Sequence, residues 1–258
     1  MTIPHVLFIG GHDPSGGAGL QADLETAMAH GCRATSLVTC LTAQDTHDVR
    51  AVFPQDPSAF VQQLELLLAD MPPDLVKIGL LGDAALARGL AAPLSRLGVP
   101  VVLDPVLAAG GGHSMADQTL VEVMREALLP LCALVTPNRR EARALGQSGD
   151  PVAAAQRLLD RGAAWVLLTG ADESEARDVR NLLLGEGRRQ SFDYPLLPHS
   201  YHGSGCTLAA ACACRMARGE SIAEAVRGAQ DWTWRCLVEG RPASDGQWLP
   251  NRHIEVMP

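Results

Sequence analysis

The sequence predicts an α/β fold, a largely parallel sheet covered by helices on both faces. Two observations carry this prediction. Short apolar runs recur along the 258 residues, and amphipathic stretches of helical period lie between most of them, which is the pattern of βαβ units. A parallel sheet built that way is buried on both sides. The composition agrees: 47% of residues are hydrophobic, 19% are charged and only 4% are aromatic. This is globular composition with an aliphatic core.

The strands are expected at Ile3–Ile9, Ala34–Thr39, Leu75–Ile78, Val99–Leu103, Ala133–Thr136 and Ala164–Thr169. Each is too short for a helix and too apolar for a loop. The helices are expected at Leu20–His30, Ser58–Ala69, Ala84–Leu97, Gln118–Leu128 and Val152–Asp160. Asn181–Leu184 and Arg189–Tyr194 flank Gly185–Gly187 and read as an antiparallel hairpin at the sheet edge. Two helices follow, over about 205–218 and 222–239. No repeat or linker composition divides the chain, so residues 1–258 read as a single domain.

Several classes of function are disfavoured. The formal net charge is −8, and non-specific nucleic-acid or membrane binding needs basic clusters. The seven cysteines, at positions 32, 40, 132, 206, 212, 214 and 236, include no CxxC pair, so neither a disulfide framework nor a zinc site is expected. The start, MTIPHVLFIGG, has no basic segment and too short an apolar run for a signal peptide. A cytoplasmic protein is expected. Lys77 is the only lysine, so other cationic contacts to phosphate must come from arginine.

In open α/β sheets, ligands bind where loops leave the carboxyl ends of strands, and the unusual residues lie in such loops. Gly10–Gly19, GGHDPSGGAG, carries five glycines in ten residues. That exceeds what a tight turn needs and suits close backbone approach to a ligand. Leu41–Asp48 contains Gln44, whose amide offers a donor and an acceptor together. Those match an aminopyrimidine edge, or alternatively bond to local backbone. Asp104, at a strand end, is read either as a Mg²⁺ carboxylate or as a structural one. Asn138 and Glu141, in Thr136–Glu141, are read as a helix N-cap pair or as neighbours of Mg²⁺ and phosphate.

The sharpest motif is Tyr201-His202-Gly203-Ser204-Gly205-Cys206-Thr207, opening an alanine-rich helix. Unpaired N–H groups and the helix dipole there make an anion hole, suited to the oxygens of a phosphoryl group in transfer. The same position is expected to lower a thiol pKa, making Cys206 a candidate base. Its other reading is a small buried side chain.

In combination, GGHDPSGGAGLQADLET, LTAQDT, VKIGLL, VLDPV, LLPLCALVTPNRREA and HGSGCTLAAA resemble the hydroxymethylpyrimidine/phosphomethylpyrimidine kinases of thiamin biosynthesis, within the ribokinase-like superfamily. The resemblance runs from Val6 to about Cys236. It implies a three-layer α/β/α sandwich and ATP-dependent phosphorylation of 4-amino-5-hydroxymethyl-2-methylpyrimidine, its monophosphate, or both. It implies that Gln44 reads the pyrimidine, and that Gly11, Asp13, Gly17, Ala18, Gly19, Asp23 and Leu80 line the substrate. Asp104 and Glu141 match the Mg²⁺ group; Asn138, Ser204 and Thr169 match ATP and phosphate contacts; Gly203, Gly205 and Cys206 match the catalytic loop. A homodimer is implied as well.

The sequence departs from the family where Thr169-Gly170-Ala171-Asp172 replaces Lys-Gly-Gly-His, and where Gly110-Gly111-Gly112-His113 replaces a Lys-Ser-Gly run. The lost lysine is an ATP-phosphate contact in the family. Two other readings follow: a pyridoxine or pyridoxal kinase of the same fold, and a pyrimidine-binding pseudokinase.

Overall fold

The computed structural model describes residues 2–108, 115–171 and 177–256. The departures at Gly110–His113 and Asp172 lie outside them. One nine-stranded sheet runs through the molecule in the order β3-β2-β1-β4-β5-β6-β7-β8-β9. The central six strands, β2 (Arg33–Gln44), β1 (His5–His12), β4 (Leu75–Ile78), β5 (Val101–Leu103), β6 (Cys132–Val135) and β7 (Trp165–Leu168), are mutually parallel. β3 (Val49–Pro54) runs antiparallel on one edge, and the hairpin of β8 (Asp178–Gly185) and β9 (Arg188–Pro195) closes the other.

Successive strand residues point to opposite faces, and the core divides accordingly. Leu7, Ile9, Val76 and Ile78 pack with α2 (Pro57–Asp70), α3 (Ala84–Leu97), α4 (Gln118–Val123), α5 (Arg139–Gly146) and α6 (Pro151–Asp160). Val6, Phe8, Leu75 and Leu134 pack with α1 (Gly19–Ala29), α7 (Ser204–Ala217) and α8 (Ile222–Val238). Helices, sheet and helices make the three expected layers. Among the described residues no helix is long and apolar enough to cross a membrane.

Three local differences from the sequence expectation bear on the site. β2 extends to Gln44 because β3, not anticipated, pairs with it from Cys40 onward. Gln44 therefore sits on a strand end rather than in a loop. β1 likewise runs on to His12. The helix expected through Leu128 ends at Val123 and continues as a π turn over 124–128 and a 3₁₀ turn over 129–131, where Pro130 cannot donate an α-helical hydrogen bond.

His30, just past α1, links packing to pH. Its Nδ1–H donates to the Thr26 carbonyl at 2.9 Å, its ring meets Trp232 edge-on at 4.6 Å, and Nε2 is buried without a partner. A proton on Nε2 would bring a charge where nothing receives it, and burial pushes His30 down to about 4. The unfolded chain binds that proton near 6.5. Stability is therefore lost as pH falls from 6.5 toward 4, by about 2 kcal/mol at pH 5. Urea unfolding at pH 7.5 and 5.0 is expected to show wild type losing about that much more than His30→Leu. Equal losses would contradict this account of His30.

Candidate active site

A cavity of about 220 Å³ opens at the carboxyl ends of the parallel strands, roofed by the start of α7. Gly10–Asp13, Ala18 and Gly19 form one wall; Gln44, Leu80, Asp104, Asn138, Glu141, Thr169 and Gly203–Cys206 complete it. The sequence-predicted residues thus converge on one place, with Gly17 the exception. Gly17 lies behind the wall, against His202 and Gly203.

The β1–α1 loop is shaped by Asp13. Its buried carboxylate accepts from Ser15 N–H, Ser15 Oγ and Ala18 N–H, each at 2.8 Å, and from His202 Nε2 at 2.8 Å. Burial raises its pKa, but the His202 and Ser15 hydrogen bonds outweigh that and hold it below the usual carboxylate range. Asp13 therefore organises the loop with oxygens already engaged. Gly19 has φ +58, and a Cβ there would meet the Gly11 carbonyl at 2.4 Å. Only glycine lets the loop close that tightly.

Lys77 supplies no free phosphate contact. It is fully buried in β4, donating to both Asp23 oxygens at 2.8 and 3.0 Å. Burial disfavours its charge, but the Asp23 and Asp104 carboxylates overcome this and keep it protonated. Burial pushes Asp23 up to about 6 against the pull of Lys77, so both are charged at neutral pH. Asp23 therefore neutralises Lys77 at the cavity floor, where both residues line the wall.

Cys206 corrects the sequence expectation. Burial pushes its thiol up to about 12, Asp104 and Asp23 add to the rise, and Lys77 and a Gly19 N–H hydrogen bond only partly oppose it. The thiol is neutral at pH 7. The helix start lowers a thiol pKa only where nearby anions and burial do not prevail.

Asn138 and Glu141 form the helix N-cap pair read from the sequence. Asn138 Oδ1 accepts from Glu141 N–H and Glu141 Oε2 accepts from Asn138 N–H, each at 2.9 Å, a complete capping box that also lines the cavity. Nearby, Asp104 Oδ2 and Thr136 Oγ1 are buried and unpartnered. They stand on adjacent strand ends, where Thr136 N–H donates to the Leu103 carbonyl. Among the described residues no group of three metal-ligating side chains exists. Asp104, with its unpartnered Oδ2 beside Glu141, suits a hard cation that keeps its waters and shares a substrate's phosphates, not an all-protein cage.

A second cavity, of about 400 Å³, adjoins the first through Asn138, Thr169, Tyr201, Ser204, Gly205 and Leu208. Tyr194, Trp234 and the unpartnered Thr233 hydroxyl line its far side. The N–H groups of Ser204, Gly205 and Cys206 precede the first intrahelical bond of α7, from Thr207 to Gly203, and so have no partner within the helix; Ser204 and Gly205 line both cavities and Cys206 the first. The sequence profile of the phosphomethylpyrimidine kinase family matches residues 13–249, which include all of this site but Gly10–His12.

The chain belongs to the phosphomethylpyrimidine kinase family.

Relatives of the family agree with the assignment. A hydroxymethylpyrimidine/phosphomethylpyrimidine kinase from Synechococcus elongatus is 35% identical over 256 residues, covering 96% of each chain. Among solved structures, the phosphomethylpyrimidine kinase of Clostridium difficile 630 superposes with a TM-score of 0.78 at 28% identity, covering 92% of this chain and all of that one. The pyridoxal kinase of Staphylococcus aureus, in complex with AMP-PCP and pyridoxal, superposes with a TM-score of 0.90 at 28% identity, covering 99% and 97%.

Some residues that shape this phosphomethylpyrimidine kinase site carry no local sequence signal. Arg252, from the tail, is buried; its Nε donates to Thr207 Oγ1 at 2.9 Å, Nη1 to Glu25 at 3.1 Å and Nη2 to the Gly17 carbonyl. It ties the β1–α1 loop to the first turn of α7. Its partners lie 45 to 235 residues away in sequence. Thr42 and His202 also go beyond the sequence assignment, although both stand inside motifs it quotes.

Proposed function

We propose that this protein transfers the γ-phosphoryl group of ATP to the hydroxymethyl oxygen of 4-amino-5-hydroxymethyl-2-methylpyrimidine, and then to the phosphate of the monophosphate. The observation that carries this reading is the meeting, in one cavity, of the Gln44 amide with the open helix start at Gly203–Cys206. Gln44 supplies a donor and an acceptor for the aminopyrimidine edge. The second cavity takes the nucleotide, with Asn138, Thr169 and Ser204 at the phosphate end. Thr169, in place of lysine, leaves that end relying on backbone donors.

The N–H groups at the start of α7 lie where charge collects on the moving phosphoryl oxygens. Asp104 and Glu141 would hold Mg²⁺, which neutralises phosphate charge when bound. As the new phosphorus–oxygen bond forms and the bond to ADP breaks, the hydroxyl proton passes to Cys206. The sulfur's own proton moves on to solvent in the open cavity, so no thiolate needs to exist beforehand. The exposed Leu41 and Phe53, cross-strand neighbours beside the β3 edge, suit a homodimer contact.

A pyridoxal kinase is the second reading, favoured by the TM-score of 0.90 to the Staphylococcus aureus enzyme. Product masses from ATP, Mg²⁺ and hydroxymethylpyrimidine test the first reading. A diphosphate product is expected; absence of any phosphorylated pyrimidine would contradict it.

A further inference from the structure

Gln44 can read an aminopyrimidine only if its amide faces the right way. A donor–acceptor pair with nitrogen and oxygen exchanged would match the opposite pattern, that of a 4-oxo pyrimidine bearing N3–H. The structure contains a device that fixes the direction. Thr42 and Gln44 lie two residues apart on β2, so their side chains share a face. Thr42 is buried, 9% exposed, and its hydroxyl donates to the His12 carbonyl at the end of β1, at 2.9 Å. A hydroxyl has one proton. With that proton committed to a carbonyl, which cannot donate in return, Thr42 Oγ1 can only accept from Gln44. The Gln44 Nε2 group accordingly donates to it at 2.8 Å.

One Gln44 N–H is thus spent on Thr42. The remaining N–H and the carbonyl oxygen are left for a ligand in the cavity that Gln44 lines. They form one acceptor beside one donor, complementary to a 4-amino group beside ring N3. A flipped amide would set its carbonyl oxygen against the Thr42 oxygen, two acceptors with no proton between them, in a partly buried place where such contacts are costly. We infer that Thr42 is a positioning residue that sets the polarity of Gln44 through the His12 carbonyl, and so selects 4-amino over 4-oxo pyrimidines. Specificity here includes a built-in repulsion, because the wrong ring meets like against like at both positions.

This inference rests on the pyrimidine reading of the site. Its test is the ratio of kcat/KM for 4-amino-5-hydroxymethyl-2-methylpyrimidine to that for its 4-oxo counterpart, in wild type, Thr42→Val and Thr42→Ser. Wild type is expected to prefer the amino compound by at least about 100-fold, because a site built to hydrogen-bond its ligand rejects a mismatch that leaves its buried polar groups unpaired. Thr42→Val keeps the shape but removes the hydroxyl. The ratio is expected to fall at least tenfold, through a higher KM for the amino compound and a lower KM for the oxo compound, with kcat for the amino compound changed by less than about threefold. Thr42→Ser, which keeps the relay and is the variant to rely on if the valine form does not fold, is expected to restore the wild-type ratio. A folded Thr42→Val that discriminates as wild type does would overturn the inference. A serine variant that has lost discrimination would overturn it too. A wild type that phosphorylates neither pyrimidine would instead remove the pyrimidine reading on which the inference stands.

Discussion

Cys206→Ala is expected to slow phosphorylation of the hydroxymethyl group by about 100-fold or more, the usual worth of a positioned proton acceptor. Transfer to the monophosphate is expected to fall by less than tenfold. The two steps differ in one respect that Cys206 can affect. In the first, the acceptor oxygen carries a proton that must leave; in the second, the acceptor phosphate is already ionised at neutral pH. The pKa near 12 sharpens the expectation. Because the thiol is neutral at pH 7, the proposed relay has it pass a proton late in the transfer, when the bridging oxygen is already bonded to phosphorus and strongly acidic. Separate rate measurements with the alcohol and the monophosphate check this. Equal losses in both would show that Cys206 shapes the cavity and does not handle the proton.

Gly203→Ala is expected to damage both steps together, by at least about 100-fold each. Gly203 caps α7 with φ +77, and a Cβ there would lie 2.0 Å from the Gly17 carbonyl oxygen. A left-handed alanine costs about 1 kcal/mol, and the contact with backbone cannot be relieved by rotating a side chain. The start of α7 must therefore move away from the β1–α1 loop. A displacement on the order of 1 Å is enough to lose about 100-fold in a reaction that depends on alignment. Since the proposed role of the α7 donors is to hold the moving phosphoryl group and not the acceptor, the loss is expected not to distinguish the two acceptors. Matching kcat losses for alcohol and monophosphate, with a lowered melting temperature, is the expected pattern. Near-normal activity would mean that the α7 start does not hold the transferring phosphoryl group.

These contrasts also mark what the sequence can and cannot reveal. The parallel strands were legible because runs such as Val6–Ile9 and Val101–Leu103 are apolar without break, as burial on both faces demands. The helix start at Gly203–Cys206 was legible because its signal is local: glycines, then alanines. β3 was not, because an edge strand with exposed residues such as Phe53 lacks a buried periodicity. Missing β3 hid the extension of β2, and with it the placement of Thr42 and Gln44 on a common face. The charge balance of the floor was equally hidden. Lys77 meets Asp23 from 54 residues away, and only their contact shows why the single lysine is neutralised. The Cys206 pKa followed the same logic: the helix terminus is written locally, whereas the burial that overrides it, and the Asp104 and Asp23 carboxylates that add to the rise, arrive from other strands and helices.

The most direct test of the proposed activity is a parallel assay with ATP and Mg²⁺ on hydroxymethylpyrimidine, its monophosphate and pyridoxal, with product masses recorded. The account predicts pyrimidine diphosphate from both pyrimidines, at a kcat/KM well above that for pyridoxal. Pyridoxal phosphate as the sole product, or pyrimidine binding without phosphoryl transfer, would contradict it.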